Sequence, residues 1–373
     1  MRILAFLLLF LFASGLDALA AQERQQAIDN TRRAIEAECK QWAGGNWDAW
    51  FAALKPYRDD LHKTVLAALH APRSSSKDPA KKFNLVVSPR DPGQAVHANS
   101  LIPIAAPGAS LEQYLAEDRS KPTAVKLTAW LKKLGIDLIL VPIPTKGDVY
   151  PELFVSDATL APRSRIASPQ VRRKIISHLD AGVEILDVLP ALLKLRDSSP
   201  HNLYMAIDKH WNEHPQRVVA ELIAARLSRY EWVKSAQTAP ALYKQVQKPY
   251  FEWFSFQEFL PPAPRRETGM WEVTPVAPGT PPVLSADSPV LITGDSFVSY
   301  GHSVEAGLVG HVARMLNMPV SHSQIPGNIV QTFQDMFRNP SLLRGKRVVI
   351  WIMNYEPFAG SHLFPQTFKT PAN

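Results

Sequence analysis

Apolar positions along the 373-residue chain fall into two periodicities that alternate through its second half. Short apolar runs of strand length occur at Asp137 to Val141, Val183 to Leu186, Leu203 to Ile207, Val290 to Thr293, Val320 to Gln324 and Arg347 to Ile352. Between them lie stretches with helical spacing: Pro122 to Leu134, Ser168 to Leu179, a helix from Val188, Glu213 to Leu227, Val304 to Leu316, and a last one after Gly327. Strands alternating with helices predict an α/β fold, a mostly parallel sheet with helices on both faces.

The first hundred residues read differently. Gln22 to about Ala71 is helical in pattern, with Ile28, Ile35, Trp42, Trp47, Trp50, Phe51 and Leu54 near helical spacing, interrupted by Gly44-Gly45 and Pro56. Residues 72–100 hold Ser74-Ser75-Ser76, several lysines and scattered prolines, and read as a linker or an irregular excursion. The expected organisation is thus a helical extension and linker over 21–100, followed by one domain over 101–365. Residues 255–289 are proline-rich, with Pro261-Pro262 and Pro281-Pro282, and predict an insertion or long loop inside that domain.

The N-terminus adds an address. Ile3 to Gly15 is almost wholly apolar, Arg2 precedes it and Ala18-Leu19-Ala20 follows, the layout of a secretory signal peptide over residues 1–20 cleaved before Ala21. An uncleaved inner-membrane anchor is the alternative. The single cysteine, Cys39, forms no intramolecular disulfide, so an ordinary hydrophobic core must stabilise the fold. A net charge of +7 favours an acidic partner, and export argues against nucleic acid. No Cys/His cluster has zinc spacing, and no metal or organic cofactor is expected.

In parallel sheets, chemistry sits beyond the carboxyl ends of the strands. Asp208, Ser296, Gly327 and Asn354 all fall at predicted strand ends. Ser296 follows Gly294, which permits a sharp strand-to-helix turn that exposes a hydroxyl. The second glycine of G-x-S-x-G is absent, so the hydrolase fold named for that elbow is not favoured. A serine needs a base to take its proton; His210 has a suitable intrinsic pKa, and Asp208 two residues earlier can orient it if both lie on a loop. The plain alternatives are an N-cap role for Asp208, a packed histidine beside Trp211, and a loop serine. His214 is read as structural. Backbone N–H groups at Ser296 and Gly327 and the Asn354 amide are the candidate oxyanion donors. Lys146 is a candidate contact for a uronate carboxylate, a solvent-facing loop lysine being the alternative, and Tyr300 and His302 are candidates to line the site.

These segments resemble the SGNH superfamily of serine esterases and acyltransferases. Gly294-Asp295-Ser296 matches the nucleophile block, Gly327 the second block and Asn354 the third. The histidine precedes the serine by 86 positions, the order of the alginate O-acetyltransferase (AlgJ/AlgX-like) family. Val141 to Lys146 with Val149-Tyr150-Pro151-Glu152, and Gly182 to Asp187 with Leu203-Tyr204 and Asp208-Lys209-His210-Trp211, resemble further stretches of that family. The resemblance spans roughly residues 100–360 and departs at Lys209, where the family has threonine.

It implies a periplasmic O-acetyltransferase that loads an acetyl group on Ser296 and passes it to an alginate-like exopolysaccharide, neutral or anionic. A membrane-bound O-acyltransferase is the implied acetyl supply. A polysaccharide acetyl esterase with the same triad is the first alternative, and a non-catalytic polysaccharide-binding or assembly protein the second.

Overall fold

The computed structural model describes residues 2–70, 84–105, 110–162, 166–200, 202–251, 267–298, 305–324 and 330–360, with the backbone alone at 2–18, 103, 158, 250–251, 267–269 and 360. In chain order the strands are β1 (Leu85–Val87), β2 (Ala95–His97), β3 (Asp137–Ile143), β4 (Glu184–Ile185), β5 (Tyr243–Phe251), β6 (Glu267–Pro275), β7 (Val290–Gly294), β8 (Ser321–Gln324) and β9 (Val348–Asn354). Five of them form one sheet in the order β4-β3-β9-β7-β8, and every neighbouring pair is parallel. The expected α/β architecture is therefore present.

Side-chain alternation explains why both faces are covered. Ile139, Ile350 and Ile292 lie opposite one another across β3, β9 and β7 and point to one face. There they join Leu189 and Leu192, Val219, Ile223 and Leu227, and Leu308, Val312 and Leu316 from three helices. One residue earlier, Leu138, Val349 and Leu291 form the row on the other face, packed with Leu127, Ile175, Phe333 and Ile35. A strand buried on both sides needs an unbroken apolar run, which is what Val348 to Met353 supplies.

The first helix, α1, runs without interruption from Arg2 to Ala43, through the expected cleavage position. Its second half docks on the sheet through Ile28 and Ile35, and Glu38 meets the buried guanidinium of Arg172 at 2.7 Å. Among the described residues, no helix is long and apolar enough to cross a membrane.

Three expectations are corrected. Residues 85–97 are not linker: β1 and β2 form an antiparallel hairpin whose Val86 and Val96 join Tyr57, Leu61 and Leu101 in a separate small core. Leu203 to Ile207 is no strand; the chain reverses there, with a single antiparallel bridge between Tyr204 and Trp211. Its apolar side chains are buried as a loop, which periodicity cannot distinguish from a buried strand. The stretch expected as an insertion or long loop contributes β6, paired antiparallel over nine residues with β5. Residues 72–76 and Pro261-Pro262 lie outside the described residues.

One buried group makes stability pH-dependent. His178 is fully buried, with Nδ1 2.9 Å from the Lys174 carbonyl and Nε2 3.3 Å from Ser120 Oγ. Burial drives its pKa from 6.5 down to about 4, only partly opposed by Asp118. The folded state thus binds a proton less readily than the unfolded one, so the contribution is full above pH 6.5 and vanishes as pH falls through 4. Replacing His178 by glutamine should flatten the acid side of the stability curve by roughly 3 kcal/mol between those limits, as read from urea midpoints across pH.

Candidate active site

Because the sheet is parallel, Ile143, Gly294 and Asn354 end on one edge, with Ile143 opposite Asn354 and Gly294 opposite Ile352. The chain turns out of β7 at Gly294. A Cβ there would lie 2.0 Å from the Ile352 carbonyl oxygen, and φ is +155°, so only glycine allows β7 and β9 to approach this closely. Ser296 follows at the start of a short 3₁₀ turn, Ser296–Val298.

Asp295 fixes that turn. Its buried carboxylate accepts from the Phe297 N–H at 2.9 Å through Oδ1, and from the Asn354 N–H and Nδ2, both at 2.8 Å, through Oδ2. Burial raises its pKa, and the Asn354 and Phe297 N–H bonds oppose that rise. One carboxylate therefore ties the serine turn to the end of β9.

The acid–base pair comes from the reversed loop. Met205 N–H donates to the His210 carbonyl and Asn212 N–H to the Leu203 carbonyl, closing a tight hairpin around Asp208. Asp208 Oδ1 takes the His210 backbone N–H at 3.1 Å and lies 2.6 Å from Nδ1. The carboxylate has no proton to donate, so Nδ1 carries the hydrogen and Nε2 is left as acceptor. Nε2 stands 2.7 Å from Ser296 Oγ. A hydroxyl, an imidazole and a carboxylate in this order can pass the hydroxyl proton to the ring and stabilise the cation that results. Trp211 braces the same contact from behind, donating from Nε1 to the Phe297 carbonyl at 2.9 Å while Phe297 packs against the His210 ring. Asp208 is not a helix cap; Asn212 holds the N-cap position of the helix Glu213–Leu227.

Lys146 is placed differently from expectation. It is 1% exposed, and its ammonium donates to the carbonyls of Ala206 at 2.7 Å, Met205 at 2.8 Å and Ala95 at 3.2 Å. It is neither a solvent-facing lysine nor placed to meet a substrate carboxylate. It substitutes for the ladder that Leu203 to Ile207 never forms, and clamps the loop two residues before Asp208. Lys146→Met should remove a charged donor shared by three carbonyls in a buried place and cost about 3 kcal/mol. Urea denaturation should show that loss, with turnover falling further than the unfolded fraction accounts for.

Among the oxyanion candidates, the Ser296 N–H donates to none of the described residues. Asn354 presents its amide at the same edge: its Nδ2 donates to Asp295, and Asn354 Oδ1 accepts from the Glu356 N–H at 2.8 Å. Gly327, Tyr300 and His302 lie outside the described residues. Sequence reasoning did not single out Asp295, Lys146's clamp or Glu356. For Asp295 a signal existed, since it sits inside the Gly-Asp-Ser block; Glu356 and the clamp depend on contacts across 147 and about 60 positions.

Comparisons with known proteins give a family and a fold. The family model described as SGNH hydrolase-like domain, acetyltransferase AlgX, matches residues 109–355. The O-acetyltransferase domain of Pseudomonas putida AlgJ is similar in fold, with a TM-score of 0.55 at 17% identity over 74% of this chain and 92% of that one. Pseudomonas aeruginosa AlgX follows, with a TM-score of 0.50 at 18% identity over 79% of this chain and 71% of that one. No curated protein matches the sequence.

Proposed function

Because the chain belongs to the AlgX family of SGNH hydrolase-like acetyltransferases, we propose that this acyltransferase acetylates an alginate-type exopolysaccharide through an acyl-serine intermediate in the periplasm. The observation that carries the reading is the Ser296–His210–Asp208 line, with contacts of 2.7 and 2.6 Å at the carboxyl edge of the sheet.

In the first half-reaction His210 Nε2 takes the Ser296 proton as Oγ attacks the acetyl carbonyl. The negative charge forming on the carbonyl oxygen is met by the Ser296 N–H, by Gly327 and by the Asn354 amide. Collapse expels the donor alcohol, which recovers its proton from His210. In the second half-reaction His210 deprotonates a sugar hydroxyl, which attacks the acetyl carbonyl and releases Ser296. Asp208 holds the ring tautomer in both directions.

The acceptor assignment is supported by the alginate association of the family and by the net charge of +7. Tyr300 and His302, close behind Ser296, are proposed to line the acceptor site. The Arg2-led apolar stretch supports export, and a membrane-bound O-acyltransferase is the proposed acetyl supply. Purified protein given an activated acetyl ester and deacetylated uronic acid oligosaccharides should yield O-acetylated oligosaccharide. Release of free acetate with no acetylated sugar, at any acceptor concentration, would identify an esterase instead.

A further inference from the structure

Lys209 stands between the acid and the base, and the triad chemistry gives it no task. Its ammonium lies 3.0 Å from Glu356 Oε2, with the two side chains 27% and 16% exposed. Ser100 Oγ, from the turn after β2, donates to the same carboxylate oxygen at 3.3 Å. Glu356 begins the second position of the helix Tyr355–Gly360, immediately beyond the end of β9. Its backbone N–H holds Asn354 Oδ1, and Asn354 in turn holds Asp295.

One residue thus reaches both halves of the site. Its backbone orients the Asn354 amide, and its side chain grips the loop that carries Asp208 and His210. We propose that the Lys209–Glu356 pair is a positioning element. It latches the acid–base loop to the Asn354 corner and keeps the charge beside His210 balanced. The proposal rests on the acyl-serine reading above.

Charge balance is the part that a purely structural contact would not reproduce. Among the described residues, the charged and titratable groups on the elements around His210 are Asp208 and Lys209 on its own loop, Asp295 beyond β7, Glu356 beyond β9, and Glu213 and His214 on the next helix. Glu213 is paired with His311 at 2.9 Å, and Lys146 is committed to the loop carbonyls. Removing the Glu356 charge leaves an unbalanced ammonium on the residue that adjoins His210 in the chain and disfavours the imidazolium. Removing the Lys209 charge leaves an unbalanced carboxylate and favours it.

The test uses the full chain turning over an activated acetyl ester, with kcat/KM measured across pH. Glu356→Gln should move the acid limb to lower pH and Lys209→Met should move it to higher pH, each by roughly half a unit. The double variant should return the limb to the wild-type position while kcat stays roughly tenfold down, because the latch is still missing. Lys209→Arg should retain both limb and rate. Limbs that shift in the same direction, or not at all, or single variants with wild-type kcat, would overturn the proposal. Ser296→Ala, run alongside, separates the outcomes: if it keeps wild-type turnover the acyl-serine reading itself has failed, whatever the latch variants do.

Discussion

Ser296→Ala should abolish acetyl turnover, with kcat on an activated ester falling by about 10⁴-fold or more while the protein stays folded. The size of the effect follows from what remains. Without Oγ there is no covalent intermediate, and His210 Nε2, now facing a methyl group, can only activate water. The donors at the Ser296 N–H and the Asn354 amide persist and would still stabilise some charge, so a trace of activity above background is expected. The fold should tolerate the change. The carboxylate of Asp295, not the Ser296 hydroxyl, holds the turn, through the Phe297 and Asn354 N–H groups. Urea midpoints for variant and wild type should agree within about 0.5 kcal/mol. Retention of more than a tenth of wild-type turnover would mean that another residue is acylated.

Asp208→Asn should be the second largest loss, about 10³-fold in kcat with little change in KM. The carboxylate accepts twice, from the backbone N–H at 3.1 Å and from Nδ1 at 2.6 Å. Both contacts go to Oδ1, so an amide oxygen in that place keeps them but brings no negative charge to stabilise the imidazolium. An amide turned the other way sets its NH₂ on Nδ1, moves the hydrogen to Nε2 and stops the ring taking the Ser296 proton. The substitution is nearly isosteric, so the loop held by Lys146 and the Tyr204–Trp211 bridge should keep its shape. Steady-state kinetics on the ester would reveal the pattern; a loss confined to KM would contradict it.

Much of this site was legible because parallel sheets gather their strand ends on one edge. The apolar runs at β3, β7 and β9 marked those ends within a residue or two, and Gly294-Asp295-Ser296 and Asn354 fell where the chain leaves them. What escaped has a common cause. Leu203 to Ile207 is apolar because it is buried, yet its backbone partners include a lysine ammonium, the Tyr150 hydroxyl, the Ala95 N–H and one bridge in place of a strand ladder. Lys146 read as a substrate contact or a solvent-facing lysine, since nothing local announces that three carbonyls from two distant segments converge on it. The β1–β2 hairpin was hidden among serines, prolines and lysines, although the Ala95 N–H bonds the Ala206 carbonyl at 2.7 Å and so supports the catalytic loop. β5 and β6, with Pro249 and many polar residues, lack the alternation of a strand packed on a full core. Local pattern identified the elements buried in the sheet; the segments that brace the acid–base loop depend on long-range contacts.

The central claim is that acetyl rests on Ser296 between two half-reactions. The direct measurement is rapid acid quenching of the protein mixed with an activated acetyl ester and no sugar acceptor, followed by intact-mass and peptide mass spectrometry. One added acetyl group is expected, carried by the peptide containing Ser296, absent from Ser296→Ala, and discharged when uronic acid oligosaccharide is added. Turnover that proceeds with no acetyl on Ser296 at any quench time would contradict it.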